Sequence, residues 1–90
     1  MTEPTARVLF NRQLSTHLPL PTWFISNGDT DPEYGHGVKV FLSQSRNLAY
    51  AMVYPGSDKV IIRNHGFKSK YFDQIVTAVQ ASTDLGVEIV

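Results

Sequence analysis

The sequence predicts a soluble α+β domain: a small antiparallel sheet of three to five strands with one C-terminal helix packed on one face. Two observations predict this class. Three apolar segments with strand character follow one another between residues 38 and 64, separated by short turns. Residues 69–83 instead repeat their apolar side chains at helical spacing. At 90 residues, the chain is expected to form a single domain, 1–90.

The N-terminal quarter has the least regular pattern. Residues 1–5 are expected to be disordered, as chain ends often are. Residues 6–16, ARVLFNRQLST, show both a helical spacing of apolar residues and a strand-like alternation. We predict a strand or irregular arm there, because Pro19 and Pro21 follow closely and would stop a helix. Residues 22–26, TWFIS, are predicted to form a short strand.

Residues 27–37, NGDTDPEYGHG, combine turn-forming residues with acids and a histidine: Asp29, Asp31, Glu33 and His36. Acids at alternate positions resemble the start of a calcium loop, but no register supplies the required glycine at position six and glutamate at position twelve. A zinc site would need more nitrogen donors than His36 offers. We therefore predict a hydrated loop with no metal and no cofactor, which is a secondary candidate for recognition.

Three strand-like segments follow, residues 38–43, 48–54 and 59–64, joined by the turn sequences QSRN and PGSD. Four-residue turns would place Phe41 opposite Tyr50 and Tyr54 opposite Lys59. Because side chains alternate along a strand, this register sorts them onto two faces. One face is wholly apolar, and it is expected to pack against the helix.

The predicted helix, residues 69–83, has Ser69 as its expected N-cap. Its apolar stripe is formed by Phe72, Ile75, Val76 and Val79. Residues 87–90 are predicted to form a final short strand. As an exposed edge, this strand could pair with a second copy of the chain, so a homodimer is an open alternative.

The second face of the predicted sheet mixes rings with cations: Lys39, Phe41, Tyr50, Tyr54, Lys59 and Arg63. Such a surface suits docking on an acidic protein or stacking of single-stranded nucleic acid. A third alternative is that residues 6–26 of the chain itself cover it. The sequence pI of about 6.8 is low for a dedicated nucleic-acid binder, which favours a protein partner over nucleic acid.

Composition limits the remaining function classes. The absence of cysteine removes disulfides and thiolate chemistry and fits a cytoplasmic location. The sequence has neither an apolar run long enough for a membrane span nor a signal-peptide pattern, so no membrane association is expected. No nucleophile motif is present. A small hydrolase or nuclease using His36 or His65 with nearby acids is therefore a weaker alternative.

These patterns together predict a non-enzymatic interaction module that binds another protein. Inhibitors and adaptors, including those encoded by phages and mobile elements, are often domains of this size. Single-stranded nucleic-acid binding through the basic and aromatic face is the first alternative.

Overall fold

The computed structural model describes residues 6–45 and 48–90, with side chains described for residues 10–44 and 48–90. Two helices, five strands and one 3-10 turn follow in chain order: α1 (Ala6–His17), β1 (Trp23–Asp31), β2 (Gly35–Leu42), a 3-10 turn (Ser43–Ser45), β3 (Tyr50–Pro55), β4 (Lys59–His65), α2 (Ser69–Ser82) and β5 (Gly86–Ile89). The expectation of disorder in residues 1–5 lies outside the described residues.

The five strands form one sheet in the order β1-β2-β3-β4-β5. The first four strands are antiparallel neighbours, and β5 returns parallel to β4 after the α2 crossover. This confirms the predicted α+β class with a mainly antiparallel sheet and a C-terminal helix. Within the described chain, no helix has both the length and the apolar character needed to cross a bilayer.

The main core lies between one face of the sheet and the helices. From α2, its buried side chains are Phe72, Ile75, Ala78 and Val79. From the sheet, they are Val38, Val40, Ala51, Val53, Val60 and Ile62. Burial of each such side chain contributes roughly 1.5–3 kcal/mol, with less for alanine. The predicted apolar face and the predicted helix stripe therefore do meet.

The register of the strands follows the prediction in one hairpin and departs from it in the other. Phe41 is opposite Tyr50, as predicted. Tyr54, however, is opposite Ile61 and not Lys59. This is a shift of two residues, so each side chain stays on its predicted face, because faces repeat every two residues.

The prediction of a strand or irregular arm over residues 6–16 is wrong, because this segment is the helix α1. The side chains of Phe10, Leu14 and Leu18 are buried in the main core. The Leu18 amide still donates to the Leu14 carbonyl, at 2.9 Å, so Pro19 follows the last helical turn and does not prevent it. Since α1 shares its core with α2, it does not cover the aromatic and basic face.

The prediction of a loop over residues 27–37 is also wrong in most of its length. β1 continues to Asp31 and β2 begins at Gly35, leaving a turn of three residues. The pairing shifts between Asn27 and Thr30. The Asn-Gly pair therefore forms an irregularity inside the hairpin and does not form its turn. Asp31 Oδ1 accepts the backbone N–H groups of Glu33 and Tyr34, at 2.8 and 3.1 Å, and thereby stabilises the turn.

The α2 helix begins at Ser69, but Ser69 is not its N-cap. The N-cap is Lys68, whose backbone is extended and whose side chain makes no capping hydrogen bond. The turn before it is held instead by Asn64, whose side chain accepts the Phe67 N–H and donates to the Phe67 carbonyl. This turn joins β4 directly to α2.

Candidate binding surface

Four rings, one from each of the first four strands, are aligned across the sheet on the face opposite the helices. The strand registers place Phe24 beside Phe41, Phe41 beside Tyr50, and Tyr50 beside His65. All four side chains are half-buried. We call Phe24, Phe41, Tyr50 and His65 the aromatic row.

The rings of the aromatic row are stacked in pairs. The ring centroids of Phe24 and Phe41 are 5.7 Å apart with planes inclined by 16°. Those of Tyr50 and His65 are 4.6 Å apart and inclined by 10°. Both distances lie in the range of favourable offset stacking. Each ring therefore turns one face toward its neighbour.

Lys39 lies between the two stacked pairs. Its ammonium is 4.5 Å from the ring centroid of Tyr50 and 5.6 Å from that of Phe41, so it makes cation–π contacts with both. The ion pairs in the described part of the chain join Lys59 to Glu88 and Arg63 to Asp31. Lys39 belongs to neither, so its charge is not balanced by a carboxylate of the described residues.

The other end of the same face is covered by the β1–β2 hairpin. Met52, Tyr54 and Ile61 are each 3 % exposed and form a second, smaller core. Backbone glycines of the hairpin lie directly against it: a Cβ added to Gly37 would be 2.7 Å from both the Met52 methyl and the Tyr54 ring. A side chain at this position would therefore force one or both of these neighbours to move.

Arg63 joins the tip of the hairpin to the sheet. Its guanidinium carbon is 5.7 Å from the ring centroids of both Tyr34 and Tyr54. Its Nη1 is 3.7 Å from Asp31 Oδ2. The backbone hydrogen bond from Glu33 is the main cause that lowers the pKa of Asp31, and the charge of Arg63 adds to it. Burial raises the pKa of the Tyr54 hydroxyl.

Lys59 lies at the far edge, where its Nζ is 2.7 Å from Glu88 Oε2 of β5. This hydrogen bond, together with the charge of Glu88, raises the pKa of Lys59. Both side chains remain half-exposed. An ion pair of this exposed kind contributes little to stability, but it neutralises both charges on that edge.

The structure therefore separates the six residues of the predicted basic and aromatic surface. Lys39, Phe41 and Tyr50 stay together at the open end of the face. Tyr54 is buried, Arg63 is held by the hairpin, and Lys59 is paired at the opposite edge.

The residues of the predicted secondary loop are spread along the β1–β2 hairpin. Among the described residues, no group of three His, Cys, Asp or Glu side chains is placed to hold a metal ion. Asp29 and Glu33 are exposed, and His36 Nδ1 is 2.8 Å from Thr30 Oγ1. His65 is level with Phe41, five residues along β2 from His36, which corresponds to about 17 Å. The two histidines therefore do not form an acid–base pair.

The surface predicted from the sequence does not include Phe24 and His65. The signal for Phe24 was present: once β1 and β2 are recognised as one hairpin, alternation places Phe24 on the same face as Phe41. His65 was missed because the shift of two residues in the β3–β4 register is what brings it opposite Tyr50.

No protein-family model, no curated protein and no solved structure matches this chain.

Proposed function

We propose that the protein is a non-enzymatic interaction module that binds an acidic segment of another protein through the aromatic row and Lys39. The observation that supports it most is the environment of Lys39. Its ammonium lies over two rings at the open end of the sheet face, and none of the described residues supplies it with a carboxylate. A carboxylate of a partner would complete this site with a charge-assisted hydrogen bond.

The stacking of the rings favours a protein over nucleic acid. A nucleobase binds by stacking on the face of an aromatic ring. In the aromatic row, Phe41 is stacked against Phe24, and Tyr50 lies between His65 on the β4 side and Lys39 on the β2 side. Each of these rings therefore has one face covered by its stacked neighbour, which leaves its edge and at most one face for a partner. Ring edges carry positive potential, so carbonyl and carboxylate oxygens complement them.

The composition of this surface suits an interface. Interfaces place aromatic and apolar side chains at a desolvated centre and charged groups around it. The aromatic row supplies such a centre, and Lys39 supplies the charge.

The proposal is tested by NMR titration of the full chain with two probes, a glutamate-rich peptide and an oligothymidylate. The peptide is expected to shift the amide signals of Lys39, Phe41 and Tyr50. Lys39→Ala is expected to weaken peptide binding by about ten- to hundredfold, since a hydrogen bond to a charged group is worth about 1.5–3 kcal/mol. Lys68→Ala, which removes an exposed lysine outside the row, is the matched control and should change little.

Two results would overturn the proposal. Equal peptide affinity for Lys39→Ala and Lys68→Ala would mean that binding depends on general positive charge. Tighter binding of the oligothymidylate, with a steep loss of affinity as salt rises, would assign the surface to nucleic acid. A natural partner recovered from the source cell by the wild type and lost with Lys39→Ala would support the protein class directly.

A further inference from the structure

The outer edge of β5 ends the sheet. The Val90 N–H donates to the Ile62 carbonyl of β4, at 3.0 Å. Because backbone groups alternate in direction along a strand, Glu88 also faces β4, whereas the N–H and C=O groups of Val87 and Ile89 point away from the sheet. The described chain has no strand on that side, so these groups form an open edge.

Apolar side chains are concentrated at this edge. Among the described residues, five large apolar side chains are exposed, and three of them are Leu85, Ile89 and Val90. Val87 is half-buried against the main core. Ile89 lies on the same face as Val87, because it is two residues further on, yet it is 54 % exposed. The apolar face of the sheet thus extends beyond the area that the helices cover.

The edge of β5 lacks three of the features that usually prevent strand pairing, namely proline, unpaired charge and strand irregularity. Residues 86–90 include no proline and no lysine, and the charge of Glu88 is paired with Lys59. The opposite edge strand, β1, is less suited to pairing, since it has an irregular register and a polar second half.

We infer that β5 pairs antiparallel with β5 of a second copy of this chain, around a two-fold axis at Glu88. In this register Val87 lies opposite Ile89 of the second copy, and the reverse contact forms on the other side of the axis, as an isologous interface requires. The outward backbone groups of Val87 and Ile89 then exchange hydrogen bonds between the copies. The two apolar faces join into one continuous surface beside the helices.

The same axis brings Glu88 next to Glu88 of the second copy. The two carboxylates are direct neighbours, which opposes pairing, but each keeps its own Lys59 at 2.7 Å, so the two acids are flanked by two lysines and no charge is left unpaired. The apolar pairing of Val87 with Ile89 is self-complementary in this arrangement, which favours a second copy over a foreign strand. The aromatic row crosses β1–β4 beyond the residues of β4 that pair with β5, so it takes no part in the joint between the two copies.

Sedimentation velocity on the full chain, from micromolar to millimolar concentration, tests the association. The mass should rise from 10.1 kDa toward twice that value. Ile89→Lys places a charge opposite Val87 of the second copy, and it should weaken the association at least tenfold. Leu20→Lys is the matched control, because Leu20 is 68 % exposed and lies outside β5; it should leave the association unchanged.

Amide hydrogen exchange locates the interface residue by residue. The amides of Val87 and Ile89 should exchange quickly in dilute protein and slowly in concentrated protein, whereas those of Glu88 and Val90 should be slow in both. Ile89→Pro, which removes only an outward N–H, should lose the association while circular dichroism shows that the fold is kept. A chain that stays monomeric at millimolar concentration, or a dimer insensitive to both Ile89 substitutions, would overturn the inference.

Discussion

Replacing Gly37 by alanine tests whether the β1–β2 hairpin is packed on the second face of the sheet. The added Cβ would be 2.7 Å from the Tyr54 ring and 2.7 Å from the Met52 methyl, well inside the 3.4 Å at which ordinary contact begins. The Met52 methyl is the end of a flexible side chain and can move. The Tyr54 ring is buried and packs against Tyr34, so it cannot move without separating the hairpin from the sheet.

The expected magnitude combines two opposed effects. Overpacking of a buried contact costs about 1–3 kcal/mol, and two contacts are affected here, so the upper half of that range applies. Replacing glycine restricts the unfolded chain, which stabilises by about 0.4–1 kcal/mol. The net loss is therefore about 1–2.5 kcal/mol, out of a total of about 5–13 kcal/mol for a domain of this length.

Gly86→Ala is the matched control, because Gly86 is also a strand glycine and a Cβ there meets nothing within 4 Å. It should be stabilising by about 0.4–1 kcal/mol. Urea denaturation followed by the fluorescence of the single tryptophan, Trp23, measures both variants. In a Tyr54→Val background the ring is absent, so the cost of Gly37→Ala should fall by about 1 kcal/mol or more. Equal stability of the two alanine variants in the wild-type background would show that the hairpin does not lie on this face.

Three further measurements test other parts of the fold. Leu14→Ala should destabilise the protein by about 2–5 kcal/mol, because Leu14 is fully buried, whereas Leu20→Ala should cost under about 0.5 kcal/mol in the same urea experiment. Hydrogen bonds in the turn lower the pKa of Asp31. The Asp31 carboxylate therefore stabilises the fold above the pKa it has in the unfolded chain, and this stabilisation is lost as pH falls through its pKa in the folded protein. Asp31→Asn should flatten the acid side of a curve of stability against pH. Glu88 raises the pKa of Lys59. The stabilisation from the Lys59 ammonium is therefore lost only as pH rises through the pKa of Lys59 in the folded protein. Glu88→Gln should remove this loss of stability at alkaline pH.

The central sheet and α2 could be predicted because their signals are local and periodic. Because side chains alternate between the two faces of a strand, a change in turn length leaves each residue on its predicted face if the two strands shift by an even number of residues. This is why Tyr54 is on the predicted face although its partner is Ile61 and not Lys59. The register itself depends on the geometry of the β3–β4 turn, which the sequence PGSD does not determine.

The helix α1 was missed because two signals conflict in the same residues. Phe10, Leu14 and Leu18 have the spacing of a buried helical stripe, but the nearby prolines Pro19 and Pro21 argue against a helix. Proline is excluded from the interior of a helix and is common just beyond its C-terminus. The position of Pro19 directly after Leu18 was therefore compatible with a helix throughout residues 6–17.

The folding of the hairpin over the second face could not be read from local pattern. The glycines of residues 27–37 were interpreted as turn formers. Gly37 has no positive φ, so it is not required by backbone conformation. It is required by the approach of Tyr54, a residue seventeen positions away. The β2–β3 register places Gly37 beside Tyr54, but the approach of the hairpin tip, in which Tyr34 contacts Tyr54 and Asp31 pairs with Arg63, follows from neither alternation nor turn chemistry.

The same coverage bears on the function proposed for this face. Read from the sequence, six rings and cations formed one broad surface on which bases could stack. In the structure, Tyr54 and Arg63 are occupied by the hairpin, and the open end keeps Lys39 between rings that are already stacked on one another. Nucleic-acid binding depends on free ring faces along a path of several phosphates. Among the described residues, Lys39 alone at the open end offers no such path, and this supports the proposal of a protein partner that brings a carboxylate.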